Sequence, residues 1–174
     1  MTALSSASIA LASPTAITTI FAGSRYFFAA ACAASAPTAS APAATAGKID
    51  TARIAQIVGH AGDQTGEVYK ITIGRDDLKL TEMGAPINAR MGLNTWAAFV
   101  GTSDNAAIAG DVAMLAKEVT PVLKALRSNG LEVVAIHHHM TDTQPAVFFL
   151  HYWGTGPAEK LATGFKAALD QLGK

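Results

Sequence analysis

Four of the five histidines fall in two short apolar segments near the C-terminal end of the chain. His137, His138 and His139 are consecutive, His151 follows twelve residues later, and His60 lies apart from them. Imidazole is the side chain most often used for proton transfer near neutral pH, and it is a common metal ligand. These two segments are therefore where we expect the chemistry of the protein.

The spacing of the histidines matters because both segments have the composition of β-strands, predicted at residues 131–139 and 146–153. In a regular strand, alternate side chains point to opposite faces, so His137 and His139 share one face and His138 points to the other. Two imidazoles placed in this way can share a small ion. A third nitrogen from a neighbouring strand would complete the ligand set of a catalytic zinc site, with one position open to water.

His151 is the candidate for this third ligand, and the strand register decides whether it reaches the other two. If His139 pairs with Val147, His151 lies beside Ala135 on the face of the other two ligands. A shift of one residue puts His151 on the opposite face. The sequence of the turn leaves both registers open, and a bulge near Met140 offers a further route to the same face.

Several carboxylates could act as a fourth ligand, orient an imidazole or serve as a general base: Glu67, Glu82, Asp111 and Glu132. Glu67 and Asp111 are the stronger candidates for catalysis because they belong to the motifs described below. The sequence lacks the motifs G-x-S-x-G and H-E-x-x-H, a P-loop and a dinucleotide fingerprint. Trp96 and Trp153 are interpreted first as core residues or pocket walls, with no further support for carbohydrate stacking.

Composition excludes one large class of partner. Hydrophobic residues make up 50% of the chain and charged residues 15%, and 13 basic residues balance 13 acidic ones. No basic block or aromatic–basic stripe appears, so the electrostatic features of a nucleic-acid-binding protein are missing. We expect a small ligand or a component of the cell envelope as partner instead.

Residues 1–47 differ in composition from the rest and predict a signal peptide followed by an Ala/Pro/Ser linker. Arg25 is their one charged residue, a short apolar stretch follows it, and A-x-A sites suited to cleavage end at Ala36 and Ala41. The apolar stretch is too short and alanine-rich for a membrane span, so we expect no transmembrane span in the mature protein. Residues 48–174 are predicted to form one domain, exported to the periplasm or cell envelope.

Cys32 is the only cysteine, so the chain cannot form an intramolecular disulfide bond. It follows three alanines, in a context loosely similar to a lipoprotein attachment site. An ordinary cleaved signal is the favoured interpretation, and a lipid anchor at Cys32 is the alternative. In either case thiolate is not expected among the ligands of the histidine site.

The elements of the predicted domain read in the order α-β-β-β-β-α-β-β-α. Asp50 is a helix cap and Gly59 ends the first helix, whereas residues 83–93 form a loop long enough to border a site. The hairpins imply antiparallel pairing. The expected fold class is therefore α+β, a mainly antiparallel sheet with helices packed on one face. Residues 106–172 suit a ferredoxin-like unit.

A set of motifs runs through this domain in a fixed order: G-E-V-Y-K (66–70), G-L-N-T-W-A-A-F (92–99), G-D (110–111), E-V-T-P-V (118–122), N-G-L-E-V (129–133), A-I-H-H-H-M (135–140) and H-Y-W-G (151–154). In these motifs the chain resembles a bacterial domain family of unknown function named for the mycobacterial lipoproteins LppY and LpqO. That family typically has Asn at the position of His138, so His137, His139 and His151 coincide with its histidines. The resemblance implies an exported, often lipid-anchored protein and no established activity.

Together these observations predict an exported protein with a histidine-lined pocket that binds a divalent transition metal, zinc or copper. Metal-assisted hydrolysis would be its enzymatic form. The alternative is a non-catalytic module that binds a cell-envelope ligand and uses the histidines as hydrogen-bonding groups. Convergence of the histidine ring nitrogens is the feature that distinguishes the two.

Overall fold

The computed structural model describes residues 47–174. The expected signal peptide, Cys32 and all of the linker except Gly47 lie outside the described residues, so these predictions and the domain boundary at residue 48 remain predictions. No helix in the described part of the chain is both long enough and apolar enough to cross a membrane.

The described residues form an α+β fold, as predicted. In chain order the elements are α1 (Thr51–Val58), β1 (Asp63–Thr65), β2 (Val68–Gly74), β3 (Leu80–Glu82), β4 (Ala85–Ile87), a 3-10 turn (Ala89–Met91), β5 (Asn94–Gly101), β6 (Ala106–Leu115), α2 (Ala116–Ser128), β7 (Glu132–His137), β8 (Val147–Gly156) and α3 (Ala158–Leu169).

Six of the strands form one sheet in the order β1-β2-β5-β6-β8-β7, and every neighbouring pair is antiparallel. Strand β8 lies between β6 and β7, while α2 connects β6 to β7. This is the split β-α-β arrangement of a ferredoxin-like unit. The prediction of a mainly antiparallel sheet is confirmed, and the two predicted histidine strands are neighbours in it.

The helices pack on one face of this sheet because the strands alternate in polarity. On β6, Ile108, Val112 and Met114 are fully buried and pack with apolar residues of all three helices. The side chains between them, including Ala109 and Asp111, therefore point to the other face. Burial of this alternating apolar set holds β6 and β8 in place, and with them the histidine-bearing side of the sheet.

A second, two-stranded sheet packs on the face opposite the helices. Among the described residues it covers only one end of that face. Strands β3 and β4 pair as a hairpin, and its apolar residues Leu80 and Ile87 pack with Ala113 and Phe149 of the main sheet. The rest of this surface, which we call the open face, carries no helix among residues 47–174. The histidines lie on the open face beside the hairpin.

The expected order of elements lacks two short strands, β1 and β4. The expected loop at 83–93 contains β4 and a 3-10 turn, and β1 forms the edge of the main sheet. Each of these strands exists because it pairs with its neighbour, β4 with β3 and β1 with β2, and such pairing has no strong local sequence signal.

A buried ion pair fastens the start of α2 to the end of β2. The Arg75 guanidinium donates hydrogen bonds to both carboxylate oxygens of Glu118, at 2.9 and 3.1 Å, and to the carbonyl oxygen of Ala113 at 2.6 Å. Arg75 is 5% exposed and Glu118 1%. Burial opposes ionisation of Glu118, but hydrogen bonds from Arg75, Leu115 and Gly173 outweigh it and lower the pKa of the carboxyl. The pair therefore fixes the end of β6, the strand that also carries Asp111.

Candidate metal centre

The register of β7 against β8 places His151 on the same face as His137. In this register His151 pairs with Ala135 and His137 pairs with Phe149. The register shifts by one residue at a bulge between Val133 and Ala135, just before this pairing begins, rather than near Met140. Of the two registers that the sequence left open, the chain adopts the one that brings His151 to the other ligands.

Three imidazoles converge at this point. One ring nitrogen from each of His137, His139 and His151 can be chosen so that all lie within 4.8 Å of one another. The ring centre of His137 is 4.9 Å from that of His139 and 4.9 Å from that of His151. We call this group the histidine triad. No other group of His, Cys, Asp or Glu in the described residues has a geometry suited to a metal ion.

His139 joins the triad although β7 ends two residues before the predicted strand end, at His137. Its ring stacks on Phe149, with the ring centres 3.5 Å apart and the planes 10° from parallel. Gly92 is also close to this ring, since a Cβ at Gly92 would lie 4.0 Å from Nδ1 of His139. Aromatic stacking thus replaces strand pairing in orienting this ring, and the 83–93 segment borders the site.

The ring of His137 is oriented by a hydrogen bond to the backbone carbonyl of the next residue. Its Nδ1 lies 3.3 Å from the carbonyl oxygen of His138, and in the tautomer that donates this bond the Nε2 lone pair is free. Such a bond from one ring nitrogen is the usual way in which proteins present the other nitrogen to a metal. His137 is therefore suited to ligation through Nε2.

His138 turns away from the triad, as the alternation of the strand requires. Its ring centre lies 4.4 Å from that of Phe148, whose side chain points to the helix side of β8, and its Nδ1 lies 3.1 Å from the carbonyl oxygen of Val147. This histidine contacts the neighbouring strand and belongs to no group of possible ligands. It therefore offers a matched control for the triad.

Asp111 is the carboxylate that the structure brings to the triad. It lies on β6 directly opposite His151 on β8, so the two side chains share the open face. Asp111 is 5% exposed and its Oδ1 has no hydrogen-bond partner. A buried, unpaired carboxylate oxygen is costly unless a cation or a donor lies close to it, and the triad is where that group would be held.

The electrostatics of Asp111 and the triad are linked. Burial raises the pKa of Asp111, while the nearby imidazoles of His151, His139 and His137 act in the opposite direction. Partial burial lowers the pKa of His139, Asp111 opposes this effect, and the two other imidazoles reinforce it. A lowered pKa favours the neutral form of His139, which is the form that binds metals.

The Gly-Asp motif at residues 110–111 has a steric explanation. A Cβ on Gly110 would lie 2.1 Å from the hydroxyl oxygen of Tyr152, which donates a hydrogen bond to the carbonyl oxygen of Trp96 at 3.2 Å. Only glycine leaves room for this hydroxyl on the helix side of β6, and the next residue then points to the open face. Gly110 therefore helps to hold together the three strands that carry Trp96, Asp111 and His151.

The other candidate carboxylates are not brought to the triad. Glu67 is exposed beside the turn between β1 and β2, at the far edge of the sheet. Glu82 lies next to the turn of the β3–β4 hairpin, and Glu132 is exposed and paired with Arg127. Of the two candidate catalytic residues, Asp111 therefore lies beside the triad, whereas Glu67 does not contact it.

The triad fits a small transition metal in ligand type and arrangement. Zinc is typically held by imidazole nitrogens at about 2.0–2.1 Å in tetrahedral geometry, which puts ligand nitrogens about 3.4 Å apart. The nitrogens of the triad lie within 4.8 Å of one another, and their side chains are not fully buried, so rotation of the rings is open to them. Three protein ligands would leave one position of the shell facing the open face.

Residues 52–171 match the sequence profile of the family described as "Domain of Unknown Function (DUF1259)", and the chain belongs to this family. The match spans the whole sheet, the triad and Asp111. No curated protein and no solved structure matches the chain.

Proposed function

We propose that this domain binds a divalent transition metal, zinc or copper, through His137, His139 and His151. The convergence of three imidazoles from two strands carries this proposal. Neutral imidazole nitrogens suit zinc and copper, and residues 47–174 contain no cysteine that could supply a thiolate ligand. His138 is also an imidazole, but its side chain points away from the other three. The convergence of His137, His139 and His151 is therefore specific to these positions and does not follow from the number of histidines in the segment.

The arrangement also suits metal-assisted hydrolysis. When bound by three protein ligands, a zinc-like ion supplies Lewis-acid chemistry at its open position. Asp111 lies opposite His151 with an unpaired Oδ1, so among the described residues it is the group best placed to orient His151 or to accept a proton. We assign it a positioning role, because it does not belong to the group of converging ring nitrogens.

Metal analysis of the untagged protein tests the proposal directly. Protein produced without a histidine tag and equilibrated with zinc or copper is expected to hold about one ion per chain by elemental analysis. His137→Ala should abolish this binding. His60→Ala and His138→Ala remove an imidazole outside the triad and should preserve it.

Failure to bind either metal, by elemental analysis and by calorimetric titration, would overturn the proposal. The triad would then be a set of hydrogen-bonding groups in a non-catalytic module for a cell-envelope ligand. Equal loss of binding in His137→Ala and His138→Ala would also contradict it, because those side chains lie on opposite faces.

We also propose that the protein is exported, to the periplasm or the cell envelope. The composition of residues 1–47, with Arg25 before an apolar stretch and A-x-A sites, supports this proposal. The resemblance of the motifs to the lipoprotein family agrees with it, and a lipid anchor at Cys32 is the alternative to simple cleavage. Mass spectrometry of protein from its native host should find a chain that begins after Ala36 or Ala41, or a lipidated Cys32. An intact chain from Met1 in the cytoplasm would contradict export.

A further inference from the structure

Arg90 is an exposed cation on the 83–93 segment, which borders the triad. Each of the other three arginines in residues 47–174 forms an ion pair with a carboxylate. These pairs are Arg53–Glu159, Arg75–Asp77, Arg75–Glu118 and Arg127–Glu132. In contrast, no ion pair joins Arg90 to another residue of this range. A guanidinium that no carboxylate of the domain neutralises is available to an anionic ligand.

The 3-10 turn that carries Arg90 is held firmly against the site. The side-chain oxygen of Asn88 accepts a hydrogen bond from the backbone N–H of Arg90 at 3.0 Å, and its carbonyl oxygen accepts one from Leu93 at 3.1 Å. Leu93 is 2% exposed and belongs to the same apolar cluster as Phe149, the residue on which the His139 ring stacks. The backbone at Arg90 therefore has a fixed position relative to the triad.

This position allows the side chain of Arg90 to reach the triad. A Cβ at Gly92 would lie 4.0 Å from Nδ1 of His139, so the Gly92 Cα is at most about 5.5 Å from that nitrogen. Two residues of helical backbone add about 5.5 Å, so the Cα of Arg90 is at most about 11 Å away. An extended arginine side chain spans about 7 Å. Even at this upper limit, the guanidinium can come within about 4 Å of the His139 ring.

The charge of a metal-loaded site favours an anionic ligand. Three neutral imidazoles leave the double positive charge of a zinc ion unchanged, and Asp111 can offset at most one of these charges. Arg90 adds a further positive charge nearby. A carboxylate close to the turn, that of Asp76, lies beside Ala89, since a Cβ at Gly74 would be 3.0 Å from both residues. Asp76 forms no ion pair with Arg90, so the guanidinium keeps its capacity for a ligand.

We propose that Arg90 binds an oxyanion of the ligand, a carboxylate or a phosphate ester, that also occupies the open position of the metal. This inference rests on the proposed metal function. One oxygen of the group binds the metal, and another accepts hydrogen bonds from the guanidinium. The planar fork of arginine matches a group with two oxygens, which a monatomic ion or a single hydroxyl does not provide. Arg90 thus selects the ligand and takes no part in holding the metal.

Cobalt(II) provides a direct test, because its visible absorption spectrum responds to a ligand that enters the open position. The full chain loaded with one cobalt ion is titrated with methylphosphonate, an analogue of a phosphate ester, and with acetate. At least one of them should bind in a saturable manner, and the tighter one identifies the class of oxyanion. Arg90→Ala should weaken this binding about tenfold, because a bidentate, charge-assisted contact is lost. Arg90→Lys keeps the charge without the fork and should retain part of the affinity.

Two controls separate bridging by Arg90 from a general effect of charge. Arg53→Ala removes an exposed arginine from α1, on the helix side of the sheet, and should leave oxyanion binding unchanged. Chloride can bind the metal but offers no second oxygen to the guanidinium, so Arg90→Ala should change the affinity for chloride by less than about twofold. Elemental analysis should still find one metal ion per chain in Arg90→Ala, because arginine is not among the usual metal ligands.

The outcomes distinguish this inference from the metal proposal. If metal binds but neither oxyanion changes the spectrum, or if Arg90→Ala binds them as tightly as wild type, the role of Arg90 is wrong and the metal proposal stands. Equal weakening of chloride and oxyanion binding would show that Arg90 acts only as a nearby charge, and it would overturn the bridging contact. If neither zinc nor cobalt binds to the wild-type protein, both proposals are wrong.

Discussion

Asp111 and His151 face each other across the pairing of β6 with β8, so a buried carboxylate lies directly beside an imidazole of the triad. Carboxylates in this relation to histidine ligands are common in metal sites, where they orient the ring and increase its basicity. Here one carboxylate oxygen, Oδ1 of Asp111, is buried and accepts no hydrogen bond from the described residues. A buried carboxylate oxygen without a partner lowers the stability of the fold, and here it lies beside the three imidazoles that we propose as metal ligands.

Removing the histidines of the triad one at a time tests the ligand assignment. For the wild-type protein, a metal present at about 100 times its Kd should stabilise the native state by about 2.7 kcal/mol. In a domain of this size that corresponds to an increase in Tm of about 10 °C. His137→Ala should lose most of this increase, because two imidazoles hold a tetrahedral ion poorly. Differential scanning fluorimetry with and without zinc measures it.

His138→Ala is the matched control for this experiment. Its ring packs against Phe148 and does not belong to the triad, so the increase in Tm with zinc should remain within about 2 °C of wild type. An equal loss in both variants would mean that the alternation of side chains along β7 does not determine the ligands.

His151→Ala tests whether the register of β7 and β8 builds the site. His151 reaches the triad only because it pairs with Ala135, so its loss should remove the zinc-dependent increase in Tm as fully as the loss of His137. The double variant should show no further loss, since either single change already breaks the shared shell. Full additivity of the two effects would indicate separate sites.

Part of this site could be predicted from the sequence because it depends on local periodicity. The opposite orientations of His137 and His138 follow from the alternation of a strand, and the sequence is sufficient to predict them. The sequence leaves the register of His151 open because the register depends on how two whole strands pair. The bulge at residues 133–135 lies in a strand without a glycine to mark it.

Asp111 could be named as a candidate, but its pairing with His151 could not be predicted. The two residues are 40 positions apart, and their contact requires β8 to lie between β6 and β7 in the sheet. Such pairing depends on the packing of the whole sheet rather than on any local pattern. The same reason explains why Glu67, an equal candidate by sequence, lies far from the site.

The β3–β4 hairpin could not be predicted because its turn has an atypical sequence. Its two-residue turn has positive φ at both Met83 (49°) and Gly84 (83°). Asn or Asp is the usual residue at the first of these positions, so a turn with methionine there is not predicted from the sequence. Pro86 within β4 also argues against a strand, although proline is tolerated in a short edge strand such as this one.

Acid should weaken the fold through the buried Arg75–Glu118 pair. The folded-state pKa values of Glu118 and Asp77 are both lowered, so their stabilising effect is complete above the unfolded-state values of about 4.3 and 3.9. It is lost as the pH falls through the lowered folded-state values. Urea unfolding at pH 7, 5 and 3 should therefore show a free energy of unfolding that decreases mainly below pH 5.

Glu118→Gln should remove much of this pH dependence and lower the free energy of unfolding at pH 7 by about 3 kcal/mol, because it leaves a buried guanidinium without its charge partner. Glu159→Gln is the control, since Glu159 forms an exposed pair with Arg53 and should change stability by less than about 0.5 kcal/mol. Equal effects of the two substitutions would contradict the assigned role of the buried pair.

Asp111→Asn should change stability and metal binding in opposite directions. In the metal-free protein it removes a buried carboxylate charge whose Oδ1 has no partner, so the free energy of unfolding at pH 7 should rise by about 1 kcal/mol. With zinc or copper the same change removes a negative charge beside His151, so the affinity should fall about 10- to 100-fold, as for other residues that support metal ligands. Urea unfolding of the metal-free protein and calorimetric titration with zinc measure the two effects. A variant that loses stability without metal, or that binds zinc as tightly as wild type, would show that Asp111 serves the fold rather than the triad.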